Sequence, residues 1–506
     1  MVDAARLPEQ LSHYRRLIDF CHEWNLNALL FRLTDDQGSA LRWQSHPELL
    51  THRHALTREE ARDLAEYGER QGVMVIPEIE SFGHTRYITS VPRYAPLEDR
   101  DPRDPHGFTG IGPLAPETLS LMSDLYREAA AIFPSPYLHG GCDEVNWGGS
   151  ALSRRALQTR SRAEIWAEYV NVLDETCRRL GKELIIWGDL VLHREPDILP
   201  RLSRRVIVMD WRYQTIEARP LARTAQQVID SGRRVIGAPA IISCSWGPRP
   251  GDRQLRNMDA FADAYAGIRD PRCLGIVVTN WVPSRYIQGS LWDSFAYAAV
   301  ALDRGSEAAR QSAFRTFVER FYGAAWTSTW QEIFDTYHRI VPSRRSCAPA
   351  WPGPGLAVPW ASDTDLRRAL GAGALGPSPY REVRAAMRAA HTAVHHHPGD
   401  FSALALSAEY LDHVFWREAV LKETGPAPGR RDATRLIETI AARDRSLLDT
   451  LDADWNAGRF SDAPGKLEPL VGLEPADQLL LSMRRATEFS EQLARDAERF
   501  QRLLAP

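Results

Sequence analysis

The sequence predicts an α/β fold, a (β/α)8 TIM barrel followed by an α-helical C-terminal domain, and three observations predict it. Eight short, apolar, β-rich runs occupy roughly the first 300 residues. Amphipathic segments with helical spacing lie between them, as strand–helix units with right-handed crossovers require. Beyond about residue 303 helical patterns dominate, which divides the chain into a barrel at 1–303 and a helical domain at 304–506.

The predicted strands run Val2–Ala5, Ala28–Leu33, Val73–Ile79, Tyr137–Leu138 leading into Gly140, Leu184–Trp187, Val206–Trp211, Val235–Ile242 and Gly275–Trp281. Most are continuously apolar rather than alternating, the mark of parallel strands covered on both faces. Leu11, Tyr14, Leu17, Ile18 and Cys21 form the first apolar helical stripe. Further helical segments follow at about Thr57–Gln71, Glu117–Ile132, Ala163–Leu180, Arg219–Ser231, Arg253–Ile268 and Ser290–Leu302. Thr57-Arg-Glu-Glu60 has the spacing of a capping box. No G-x-G-x-x-G follows the first strand, which speaks against a doubly wound dinucleotide-binding sheet. In the C-terminal region, 342–379 is a Pro/Gly/Ala-rich loop between early and late helices, and His395-His396-His397 is expected at a helix end rather than on a metal. The helical domain is expected either to pack on the barrel or to form a homo-oligomer interface.

Functional groups of such barrels gather on the loops after the C-terminal strand ends. Here those places hold Asp35 and Asp36, His84, His139, Asp143-Glu144, Trp187 with Asp189, Trp211 with Tyr213, Trp246, and Asn280-Trp281. Tryptophan faces stack on the apolar faces of sugar rings, and carboxylates bind hydroxyls. Four strand-end tryptophans around one rim, with acids between them, therefore read as a carbohydrate pocket. The stretch His139-Gly-Gly-Cys-Asp-Glu144 is the centre of that pattern. Successive strand residues point to opposite faces, so two adjacent acids serve one pocket only where the strand ends and twists. Small residues just before that point let another chain segment or a ligand come close.

These motifs resemble glycoside hydrolase family 20, the β-N-acetylhexosaminidases. His139-Gly-Gly-Cys-Asp143-Glu144 is similar to the family's His-x-Gly-Gly-Asp-Glu, with Cys142 in place of the second glycine. Leu33-Thr-Asp-Asp-Gln-Gly38 and Pro77-Glu-Ile-Glu-Ser-Phe-Gly-His84 resemble its strand-two and strand-three motifs. The form Gly-Cys-Asp-Glu-Val, with Phe82-Gly-His84 and Trp281, is closer still to the hexosaminidase D branch. The resemblance covers about residues 1–300. It implies retaining hydrolysis in which the substrate's 2-acetamido oxygen is the nucleophile, an exception to the two-carboxylate scheme. Asp143 would orient the acetamido group, and Glu144 would act as acid and then base with a raised pKa. His84 backed by Asp35 would tune that proton. Trp187, Trp211 and Trp281 would wall the pocket, and Tyr213 would meet the acetamido oxygen.

The likeness also implies what is missing. The family's arginine before the first strand has no counterpart, so either the start is truncated or the sugar is held otherwise. The small domain that often precedes the barrel has no counterpart. The strand-eight Trp-x-Glu is Trp281-Val282-Pro283 here, which predicts relaxed selection at sugar carbon four. No cofactor and no metal is expected. A net charge of −4 over 506 residues argues against a nucleic-acid partner. Six cysteines without a C-x-x-C pair, no signal pattern and no apolar run of membrane length read as a reduced, cytoplasmic protein without a membrane partner. The alternative reading is a catalytically inactive glycan-binding barrel or scaffold.

Overall fold

A computed structural model describes the chain except residues 105–106, 243–248, 340–357, 372–377, 379, 426–427, 474–477 and 506. Eight strands form one all-parallel sheet in strict chain order. They are β1 (Val2–Asp3), β2 (Ala28–Arg32), β3 (Met74–Glu78), β4 (Tyr137–His139), β5 (Glu183–Trp187), β6 (Ile207–Trp211), β7 (Arg234–Ala238) and β8 (Cys273–Ile276). No ladder joins β8 to β1 among the described residues. The two ends nevertheless meet through single bonds. The Met1 amino group donates to the Val278 carbonyl at 2.7 Å, and the Val282 N–H donates to Asp3 Oδ2 at 3.0 Å.

Each predicted strand is present, most of them shorter than expected. β7 stops at Ala238 because Pro239 follows and has no N–H for the ladder. The β7–β8 register shifts at Val235/Ile236, and Gly275 sits at φ +119, so β8 ends early. The sheet's inner face is packed by Leu30, Ile76, Ile185, Trp187, Ile207, Met209, Ile236 and Ala238. Between strands the expected helices form, including Leu11–Glu23 and Arg58–Arg70. The Thr57 hydroxyl accepts the Glu60 N–H and the Glu60 carboxylate accepts the Thr57 N–H, which completes the capping box. One excursion was not expected: Thr34–Asp35, Gly38–Leu41 and Thr51–Leu56 form a small three-stranded sheet after β2. The mixed polarity of that segment gives no period to read.

The chain divides into two compact units. The first contains 1–241, 256–282 and 298–311, and holds the parallel sheet. The second contains 242–255, 283–297 and 312–506. Its long helices, Pro398–Glu423, Arg430–Gly458 and Leu479–Arg495, pack a core of Leu421, Ile437, Ile440, Phe489 and Leu493. A fully buried ion pair crosses that core: Arg417 meets Asp444 at 3.1 Å, His413 meets the same carboxylate at 2.6 Å, and Trp360 lies 3.7 Å from the guanidinium. The three histidines stand between the end of the helical turn His391–Ala393 and the start of the helix Pro398–Glu423, with His397 at φ +54. His395 and His396 donate their N–H groups to the Tyr322 carbonyl, and His397 stacks on Phe321. Among the described residues no helix is long and apolar enough to cross a membrane.

Candidate active site

The chain leaves β4 at His139 and turns at once. Gly141 takes φ +63, and a Cβ there would lie 2.0 Å from Glu80 Oε2, so only glycine lets this turn lie on the β3 carboxylate. Cys142 follows at φ +74 and Glu144 at φ +45, both in the left-handed region that side chains avoid. His84 at φ +50 and Val282 at φ +52 share that strain. Such residues persist only where surroundings fix them, and here they cluster at the strand ends. The consequence is geometric. Asp143 and Glu144, neighbours in the chain, face the same imidazole: His84 Nε2 lies 3.8 Å from Asp143 Oδ2 and 3.5 Å from Glu144 Oε2.

The other edge of His84 faces Asp35 Oδ1 at 3.6 Å and Asp36 Oδ2 at 4.0 Å. Gly83 brings the two segments together; a Cβ there would lie 2.1 Å from the Asp143 carbonyl oxygen. Burial works against the imidazolium, but the charges of Asp35 and Asp143, with Glu144 close by, outweigh it and hold His84 well above its ordinary pKa. The same cation acts on Glu144. Burial raises that carboxyl, yet the His84 bond and charge, with Arg6 and Arg194 further away, bring it below its ordinary value. This corrects the expectation of a raised Glu144: burial counts for less than the charged partner.

Beneath this line lies a buried ionic layer that the motifs only half announced. Arg32, fully buried, meets Asp35, Glu78 at 2.9 Å and Glu80 at 2.8 Å. Arg6 meets Asp35 at 2.9 Å and Asp3 at 3.1 Å. Against burial, these two arginines and His84 hold Asp35 well below the usual carboxylate range. The acids outnumber their cations, so protons stay behind. Burial lifts Glu78 to about 7, with Arg32 opposing and Asp143 adding, and burial with Asp143 lifts Glu80 well above its ordinary value. Glu78 and Glu80 were readable from the sequence, since a two-residue spacing at the end of β3 puts both on one face. Arg32 was signalled by a charge inside an apolar strand. Arg6 had no local signal.

The remaining predicted residues divide by depth. His139 is fully buried; its Nδ1 accepts the Gly141 N–H at 3.0 Å, which places its proton on Nε2, and burial with Arg32 keeps it neutral. Trp187 is also fully buried, donating to Glu78 Oε1 at 2.9 Å, with His139 at 4.5 Å and Trp281 at 5.7 Å. Asp189 accepts the Glu144 N–H at 3.0 Å, and burial plus Asp143 raise it to about 7. Trp211 stacks on Tyr213 at 5.0 Å, and the Tyr213 hydroxyl accepts the Trp281 indole N–H at 2.9 Å. Trp211, Tyr213 and Trp281 stay partly exposed, whereas Asn280 is buried. Arg32 and Arg6 lie over Trp281 at 4.9 and 5.3 Å. Trp246 lies outside the described residues.

Two groups of donor atoms are close enough to surround a cation: Asp35, Asp36 and His84, and His84, Asp143 and Glu144. His84 belongs to both, and both its nitrogens face carboxylates. Chemically, the arrangement offers two carboxylates, Asp143 and Glu144, on the same edge of one histidine, with Glu144 the nearer at 3.5 Å. Partly exposed aromatic faces lie in the same unit.

Comparison with known proteins finds similarity for the first half of the chain. Residues 1–241 match the family described as "Glycosyl hydrolase family 20, catalytic domain". The β-hexosaminidase of Vibrio furnissii is 27% identical over 246 residues, covering 42% of this chain and 39% of that protein. The β-hexosaminidase of Akkermansia muciniphila is 29% identical over 185 residues, covering 32% of this chain and 37% of that protein. This chain thus spans about two fifths of the length of these relatives. A solved β-N-acetylhexosaminidase structure aligns with a TM-score of 0.50 at 18% identity, over 64% of this chain and 77% of that one, a likeness of fold alone. Through its first 241 residues, the chain is similar to the catalytic domain of glycoside hydrolase family 20.

Proposed function

We propose that this protein is an exo-acting, retaining β-N-acetylhexosaminidase that works through an oxazoline intermediate, on a parallel sheet closed into a (β/α)8 barrel. The observation that carries the reading is the meeting of Asp143 and Glu144 on one edge of His84, despite their adjacency in sequence. Asp143 is 5% exposed and takes the 2-acetamido N–H, orienting its oxygen toward the anomeric carbon. As that oxygen bonds to carbon one, the glycosidic oxygen leaves with the proton of the His84–Glu144 pair. Asp143 offsets the positive charge growing on the acetamido nitrogen. Water then attacks carbon one, Glu144 takes its proton, and the ring opens to the retained sugar.

The charges around His84 favour the shared proton on the imidazole. A sugar covering Glu144 adds to the burial that already raises it, and moves the proton onto the carboxyl that must donate. Trp211 and Trp281 supply partly exposed faces for the sugar ring, and Tyr213 a hydroxyl for the acetamido oxygen. Pro283, in place of the strand-eight carboxylate, removes one selecting contact, so galactosaminides are expected to be cleaved at least as well as glucosaminides. An inactive sugar-binding barrel gains no support from a site that keeps both carboxylates and the histidine between them.

The test is leaving-group dependence. In Glu144→Gln, hydrolysis of a disaccharide should fall by about a hundredfold or more while a nitrophenyl N-acetylglycoside is largely spared, because acid assistance matters most for poor leaving groups. Asp143→Asn should impair both. Equal loss on both substrates in Glu144→Gln, or near-normal Asp143→Asn, would refute the scheme.

A further inference from the structure

Between the segment carrying His84 and the segment carrying Glu144 runs a third, residues 107–111. Its strand Phe108–Thr109 pairs in parallel with Val145–Asn146, and the Phe108 N–H donates to the Glu144 carbonyl at 2.7 Å. On its other side the Thr109 carbonyl accepts the Thr85 N–H at 3.1 Å and the Thr85 hydroxyl at 2.9 Å. The Ile111 N–H donates to the Phe82 carbonyl at 3.0 Å. This double attachment leaves the Phe108 ring face to face with His84, centroids 4.0 Å apart and planes inclined by 26°.

The edges of the imidazole are taken by charges. Asp35 and Asp36 lie on the Nδ1 side, Asp143 and Glu144 on the Nε2 side, and Glu80 acts from further away. Phe108 takes a face of the same ring.

We propose that Phe108 is a positioning residue, whose ring face keeps His84 charged and in the plane that points one edge at Asp35 and the other at Glu144. An aromatic face carries negative quadrupole density and attracts a cation, so the stack favours imidazolium over imidazole. It also blocks the tilt that would take Nε2–H out of line with the Glu144 carboxylate, and hydrogen bonds weaken steeply with misalignment. The inference rests on reading His84 and Glu144 as the proton-sharing pair of the proposed reaction. Simple apolar packing would give a different result, since packing does not depend on the electron density of the ring.

The experiment is a nitrogen-15 NMR titration of His84 in the full-length resting protein, which needs no turnover. Fluorinated phenylalanines at position 108 keep the shape and drain the ring face; Phe108→Leu removes the face; Phe108→Tyr retains it. The His84 pKa should fall with each added fluorine and by about half a unit or more in Phe108→Leu, and stay near wild type in Phe108→Tyr. The alkaline limb of kcat/KM should move down with it. A His84 titration unmoved by trifluorination overturns the proposal, as does an equal fall in the Leu and Tyr variants. Should Phe108→Leu fail to fold, the fluorinated series decides by itself. A wild-type protein that cleaves no acetamido glycoside refutes the proposed function, while the titration still judges the stack.

Discussion

His84 shows how one side chain can govern two others. Four carboxylates lie within 4.0 Å of its nitrogens, and the ring answers by holding its proton well above the ordinary value. Its charge then sets the protonation of Glu144. Replacing it by a neutral group of similar size removes that charge, and a carboxyl that loses a cationic neighbour titrates higher. His84→Gln should therefore leave the donated proton on Glu144 alone, move the alkaline limb of the kcat/KM profile downward and lower kcat/KM by about a hundredfold or more on a disaccharide, the scale of lost proton-transfer help. A limb that stays in place would show that the His84 charge does not reach Glu144.

At the scale of the element, the turn after β4 is built for close approach rather than for regularity. The strand ends after three residues, and three of the next five positions take positive φ: Gly141, Cys142 and Glu144. Gly141 has its back to Glu80, a buried carboxyl that must lie there to meet Arg32. Gly141→Ala would add both a left-handed backbone cost and a clash with that carboxyl. We expect it to destabilise the folded protein by about 2 kcal/mol or more, measured as a lower denaturation midpoint, with activity lost ahead of stability because Asp143 and Glu144 would shift. Wild-type stability in this variant would mean that the turn has room that the geometry denies.

For the whole molecule, the buried ionic layer makes stability depend on pH in a definite direction. Glu78 and Asp189 titrate at about 7 when folded, against ordinary values of 4.5 and 3.8. Between those values and 7 the folded state holds protons that the unfolded chain has released, so stability falls as pH rises through this window. His84 has the same sign: its contribution is fully present below the ordinary 6.5 and is lost as pH rises through its higher folded value. Asp35 opposes them, since its depressed pKa gives stability present above 3.8 and lost as pH falls below it. The midpoint of thermal unfolding should accordingly be highest at about pH 4 and fall as pH rises toward 7. Calorimetry across pH 4 to 8 checks this, and Asp189→Asn should flatten the slope below pH 7. A midpoint that climbs steadily toward pH 8 would mean that the acids are not protonated as their burial requires.

The sequence by itself determined the order of strands and the identity of the residues at their ends. Continuous apolar runs mark buried parallel strands, and motif spacing placed Asp35, His84, Asp143 and Glu144 each at a strand terminus, since these are properties of adjacent residues. Tertiary structure alone decided how those groups act on one another. The expected rise of Glu144 became a fall because His84, sixty positions earlier in the chain, lies 3.5 Å from its carboxylate. Arg6 reaches Asp35, Arg32 reaches Glu78 and Glu80, and Phe108 reaches His84 across long separations in sequence, and electrostatic effects depend on separation in space. A carboxyl's charge state, a stacked ring and a buried ion pair are each sums over neighbours, and the chain names its neighbours only once it has folded.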